Sequence, residues 1–153
     1  MIIAIGADHG GFALKACVAR AIEAAGHTVL DCGAAHDDPA DDYPDFAEGV
    51  ARAIQAGQAE RGVLLCGSGV GISVAANKFA GIRAAICHDA YSARQGVEDD
   101  AMNVLCLGGR VIGPELATVL VTTFLAARYK ALERYERRLG KVRRFDEGDG
   151  AAR

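Results

Sequence analysis

The chain has 153 residues and a mass of 15.9 kDa, enough for one domain that buries a core without a disulfide or metal staple. Hydrophobic residues at 51% and charged residues at 24% exclude a disordered chain, and 19 glycines without a period of three exclude a collagen-like one. A net charge of −3 makes no case for nucleic acid, no apolar run reaches the ~20 residues of a membrane helix, and Met1 leads into a strand-like run instead of a basic signal, so a cytoplasmic, soluble protein is expected.

Strand-like and helix-like runs alternate. Ile2 to Ile5 reads as a first strand ended by Gly6, and Phe12 to Ala25 as an amphipathic helix carrying Leu14, Val18 and Ile22, stopped by Gly26. Thr28 to Leu30 is a second strand; a polar loop then runs to Tyr43-Pro44, where Pro44 suits a first helical turn, and the helix after it carries Phe46, Val50 and Ile54. Val63 to Cys66 is continuously apolar, as a strand covered on both faces should be. Ile72 to Phe79 is helical, Arg83 to Cys87 and Val104 to Leu107 are the fourth and fifth strands, Pro114 opens a helix, and a charged helix runs from about Tyr129 to Leu139. The order predicts a single α/β domain over 1–145, an open five-stranded parallel sheet with helices on both faces, and a flexible tail over 146–153.

In such sheets ligands bind beyond the carboxyl ends of the strands. Gly6-Ala7-Asp8-His9-Gly10-Gly11 follows the first strand and Cys66-Gly67-Ser68-Gly69-Val70-Gly71 the third. Asp99-Asp100 and Gly108-Gly109-Arg110 lie near the fifth, and all of these are expected on one edge. The glycine turn has neither the GxGxxG spacing of a dinucleotide site nor the Lys-Ser/Thr of a phosphate loop. Its bare amides suit an oxyanion, and a thiol at the strand end before them is a candidate base or nucleophile. The plainer reading makes Cys66 a small residue closing a tight turn, and the other four cysteines, with no CxxC pair, are read as reduced and buried.

Asp8 and His9 lack a third ligand at metal spacing and are read as hydrogen-bonding a polar ligand, with no metal site. His27, His36 and His88 show no partner pattern and are read as surface or loop residues. Six acids without a Lys or Arg fall between Asp37 and Glu48, and eight of the 17 basic residues between Arg128 and Arg144. Either run can be a solvated face. Arg134 and Arg138 share a helix face and suit a phosphate, unless Glu133 and Glu136 pair with them.

Taken together, Gly6 to Phe12, Asp42-Tyr43-Pro44, Cys66 to Ile72, Ala75-Ala76-Asn77-Lys78, Gly81-Ile82-Arg83-Ala84 and Asn103-Val104-Leu105 resemble the ribose-5-phosphate isomerase type B family, which includes the galactose-6-phosphate isomerase subunits. The resemblance runs in order over about residues 1–142. It implies a Rossmann-like three-layer α/β/α fold, a homodimer or dimer of dimers with a site shared between subunits, and aldose–ketose isomerisation of a phosphorylated sugar without cofactor or metal. It assigns Cys66 as the base moving the proton between C1 and C2, with Ser68 and the amides of Gly67, Gly69, Val70 and Gly71 at the enediolate. Asp8, His9, Tyr43, Arg110, Arg134 and Arg138 would then contact substrate. The family's Arg-His-x-x-Arg reads Arg134-Tyr135-Glu136-Arg137-Arg138 here.

One departure bears on substrate. Where the family carries His-Asn before the fifth strand, this chain carries Asp99-Asp100, so the histidine credited with opening the furanose ring is an aspartate. An ionised aspartate is a poor proton donor unless its pKa is raised, which pairing with Asp100 could do. A four-carbon 4-phosphate has its O4 esterified, cannot close a furanose and needs no ring opener. The resemblance therefore points to ribose 5-phosphate as the family substrate and to erythrulose 4-phosphate/erythrose 4-phosphate as an adapted one. The competing readings are a covalent Cys66 nucleophile in acyl or phosphoryl transfer, a non-catalytic sugar-phosphate sensor and, weakest, a dinucleotide-binding module.

Overall fold

A computed structural model describes residues 1–146. Strands β1 (Ile2–Ala7), β2 (Thr28–Asp31), β3 (Arg61–Cys66), β4 (Ala84–Ile86) and β5 (Val104–Gly108) form one parallel sheet in the order β2-β1-β3-β5-β4. In the three central strands the register aligns Ile5 with Val63 and Val63 with Leu105.

Strand parity explains the three layers. Val63, Leu65, Leu105 and Leu107 point to one face, where they pack with α1 (Phe12–Ala24), α4 (Ala90–Asp100) and α5 (Pro114–Ala126) through Val18, Ile22, Val97, Leu120 and Phe124. Leu64, Cys66, Val104 and Cys106 point to the other, under α2 (Tyr43–Gln55) and α3 (Val70–Ala76) through Val50, Ala51, Ile72 and Ala76. Both sides of the sheet are apolar because both are covered. The expected α/β/α sandwich with five parallel strands is the observed one. No described helix is long and apolar enough to cross a membrane.

Several boundaries differ from the sequence reading. β1 continues through Gly6 to Ala7, since Gly6 pairs with Leu64. α3 stops at Ala76, three residues early, because the Asn77 amide donates to the Ser73 and Ala84 carbonyls and its Oδ1 accepts from the Ala84 N–H. The charged helix, α6, is Glu133–Asp146; Ala131 in the left-handed region (φ 49°) breaks the chain before it. The described helix reaches Asp146, the first residue of the expected tail, and the rest of that tail, 147–153, lies outside the described residues. Sequence reading missed α4 altogether. It buries only Ala93 and Val97, too little for an apolar stripe, and its clearest signal is the Asp89 cap, whose carboxylate accepts from the Ser92 N–H at 2.8 Å.

Gly11 shows how tightly the loops meet the sheet. A Cβ there would lie 2.5 Å from the Leu65 carbonyl carbon in the central strand, which cannot yield. Gly11→Ala is therefore expected to cost about 3 kcal/mol, read as a fall of roughly 6–12 °C in melting temperature.

Candidate active site

α1 leaves β1 toward one face of the sheet and α3 leaves β3 toward the other, so a crevice opens between them at the carboxyl edge. A cavity of about 400 Å³ lies there, lined by Asp8, Tyr43, Cys66, Gly67, Ser68, Gly71, Arg110 and Val111. Three loops meet at its floor. The Gly109 N–H donates to the Cys66 carbonyl at 2.8 Å and the Arg110 N–H to the Gly67 carbonyl at 3.0 Å, tying the loop after β5 to the loop after β3. The Gly11 N–H donates to Asp8 Oδ1 at 3.0 Å, closing the turn after β1.

Cys66 ends β3 on the α2/α3 face, is buried, and is one of the residues lining the cavity. The Gly69 N–H donates to Cys66 Sγ at 3.1 Å, a contact made possible by Gly69 standing in the left-handed region at φ 83°. The Val70 N–H donates to Ser68 Oγ at 3.2 Å. Two of the amides expected to face an oxyanion are thus engaged by the two side chains expected to do chemistry. The Tyr43 ring lies against Gly71, where a Cβ would come within 2.8 Å of its Cζ.

His9 is held from outside its own loop. Asp41 Oδ1 accepts from the His9 backbone N–H at 3.0 Å and hydrogen-bonds ring Nδ1 at 2.8 Å. That ring hydrogen bond is the main cause holding the His9 pKa above the ordinary histidine value; burial opposes it, Asp8 adds to it, and Arg110 opposes it weakly. Asp8, His9 and Asp41 bring three ligand-type atoms within 4.8 Å of one another, a grouping that Asp41 completes from the loop before α2; Asp41 Oδ1 bonds His9 Nδ1, Asp8 Oδ1 accepts from Gly11, and of the three only Asp8 lines the cavity itself.

Asp99 and Asp100 do not join this edge. They end α4, which feeds the start of β5, and so stand at the amino edge of the sheet, opposite Cys66. The expectation that they converge with the glycine loops is corrected on that ground: helix ends entering a strand and loops leaving it lie at opposite ends. Gln95 Nε2 donates to Asp99 Oδ2 at 3.1 Å. That bond, with Tyr135, Lys130 and Arg134 nearby, holds the Asp99 carboxyl below its ordinary range, the reverse of a shift raised by Asp100. Arg134 lies over the Tyr135 ring, 4.6 Å from its centroid, and Arg138 is exposed one turn along α6. Of the other basic residues there, Arg128 donates to the Leu125 and Ala127 carbonyls at the end of α5, and Lys130 pairs with Glu98 at 2.9 Å.

The family model for Ribose/Galactose Isomerase matches residues 3–142. This chain belongs to that family. The isomerase is 45% identical over 128 residues to ribose-5-phosphate isomerase B of Escherichia coli K12, covering 84% of this chain and 85% of that one. It is 43% identical over 130 residues to D-erythrulose-4-phosphate isomerase of Pectobacterium atrosepticum, covering 84% of each. The ribose-5-phosphate isomerase B structure from Clostridium thermocellum superimposes with a TM-score of 0.91 at 44% identity, over 96% of this chain and 98% of that chain.

Two residues at the site escaped the sequence reading. Asp41 meets His9 across 32 positions, so no local pattern links them. His88, read as a surface or loop residue, stands in a loop, yet its Nε2 accepts from the Gly108 N–H at 3.0 Å and pins the end of β5 beside the cysteine loop.

Proposed function

We propose that this isomerase interconverts a ketose and an aldose phosphate through a cis-enediolate, and that its preferred pair is erythrulose 4-phosphate and erythrose 4-phosphate. The Cys66 thiolate takes a proton from C1 of the ketose, the C1–H electron pair becomes the C1–C2 double bond, and the carbonyl oxygen becomes the enediolate oxygen. The proton returns to C2 while the hydroxyl proton passes from O1 to O2, leaving the aldehyde. Ser68 and the loop amides from Gly67 to Gly71 stabilise the oxyanion, while Asp8, His9 and Tyr43 hold the sugar.

Asp99, Asp100, Arg134 and Arg138 serve the cavity of a second copy, so the working unit is a homodimer or a dimer of dimers with shared sites. Their grouping at the amino edge, away from an open carboxyl-edge cavity, supports this, as does the implied family arrangement. Arg110 and the two helix arginines meet the phosphate.

The observation that carries the substrate reading is the state of Asp99. A carboxylate held below its ordinary range by the Gln95 amide does not donate a proton to a furanose ring oxygen near neutral pH. Relatives of similar identity include both a ribose-5-phosphate isomerase B and an erythrulose-4-phosphate isomerase, so the choice between the two substrates rests on position 99. Initial rates on erythrulose 4-phosphate and ribose 5-phosphate, measured side by side, are expected to favour the four-carbon ketose. A strong preference for ribose 5-phosphate overturns the substrate reading and leaves the isomerase; tight binding of both with no turnover restores the sensor.

A further inference from the structure

The loop between β2 and α2 carries acids that the reaction above does not use, and one of them is built into the site. Asp41 has a largely buried side chain, 11% exposed, and a single oxygen engages both the backbone N–H and the ring Nδ1 of His9. Its other oxygen, Oδ2, is buried with no hydrogen-bond partner among the described residues. A carboxylate buried in this way is costly unless a cation compensates it, and the group it touches is an imidazole.

Holding a ring at two points fixes more than its place. With Nδ1 committed to a carboxylate acceptor, the neutral ring keeps its proton on Nδ1 and Nε2 is the free nitrogen; the protonated ring offers Nε2–H as a donor. The charged groups facing His9 come from three loops: Asp8 beside it after β1, Asp41 before α2, and Arg110 after β5. The two acids favour the imidazolium and the arginine opposes it.

We propose that Asp41 is a positioning residue for His9, fixing the imidazole's orientation, tautomer and charge so that Nε2–H meets an oxygen of the sugar phosphate. Its part in turnover rests on the isomerase reading above; the Asp41–His9 link itself does not. Such an outer carboxylate never touches substrate and acts through the ring it holds.

The test combines ring-nitrogen NMR with kinetics on Asp41→Asn and Asp41→Glu, the His9 signals being assigned with His9→Gln. In the unsubstituted protein the neutral ring is expected as the Nδ1–H tautomer. In Asp41→Asn the imidazolium should be lost at lower pH. There kcat/KM should fall about tenfold near neutral pH, as for loss of one charge-assisted hydrogen bond, with the gap narrowing at acid pH where both proteins hold the imidazolium. Asp41→Glu should recover part of the loss. An unmoved His9 titration overturns the proposal, as does a loss of kcat/KM that is the same at every pH, or a moved titration with unchanged kcat/KM. Should Asp41→Asn not fold, the tautomer in the unsubstituted protein decides, and an Nε2–H neutral ring overturns it. If no sugar phosphate is turned over at all, the isomerase reading fails while tautomer and titration still decide the link.

Discussion

Replacing Cys66 with alanine is expected to slow isomerisation about 10²–10⁴-fold while leaving the fold intact, the range for removing a positioned base. The side chain is small, and its hydrogen-bond partner is one backbone N–H, that of Gly69, which stands in a turn beside an open cavity where water can replace the sulfur. Melting temperature should therefore change by far less than for Gly11→Ala, and solvent-deuterium exchange at the substrate's C1 should vanish with turnover. A variant that still exchanges that proton at the normal rate would take the base assignment away from Cys66. The same variant tests the shared site: mixed and reassembled with Arg134→Ala chains, it should regain activity, because each mixed dimer then holds one cavity with both an intact cysteine and an intact arginine.

What the sequence displays well is what repeats locally. The apolar run Val63 to Cys66 and the helical spacing of Leu14, Val18 and Ile22 each carry their own period, so the sheet and α1 are readable without knowing their neighbours. The glycine turn after Cys66 is equally local, and it sits at the strand end where the reading put it. Elements settled by tertiary contacts are another matter. α4 buries two small residues and takes its place from packing against α5 and α6, so nothing in its own pattern announces it. The Asp41–His9 bond and the His88–Gly108 bond join positions that only the folded sheet brings together. Asp99 shows the same limit: proximity in sequence to β5 says nothing of which end of β5 it meets, and that is settled by α4, which delivers the chain to the amino edge.

Asp99→His is expected to raise turnover of ribose 5-phosphate by about 10²-fold, the lower end for a positioned general acid, and to change turnover of erythrulose 4-phosphate by no more than about threefold. Ring opening requires a proton at the furanose oxygen as its bond to C1 breaks, and an imidazolium supplies one near neutral pH where a carboxylate held down by Gln95 does not. The open-chain substrate has no such step, so the same substitution gives it nothing to gain. Asp99→Asn separates the two causes available here. It removes the negative charge near Arg134 without adding a donor; a rise in ribose 5-phosphate turnover equal to that of Asp99→His would make charge repulsion, and not proton supply, the barrier. If neither substitution moves the ratio of the two substrates, position 99 does not set specificity, and any four-carbon preference then comes from the cavity around Tyr43 and Val111, where length and not ring opening would be read.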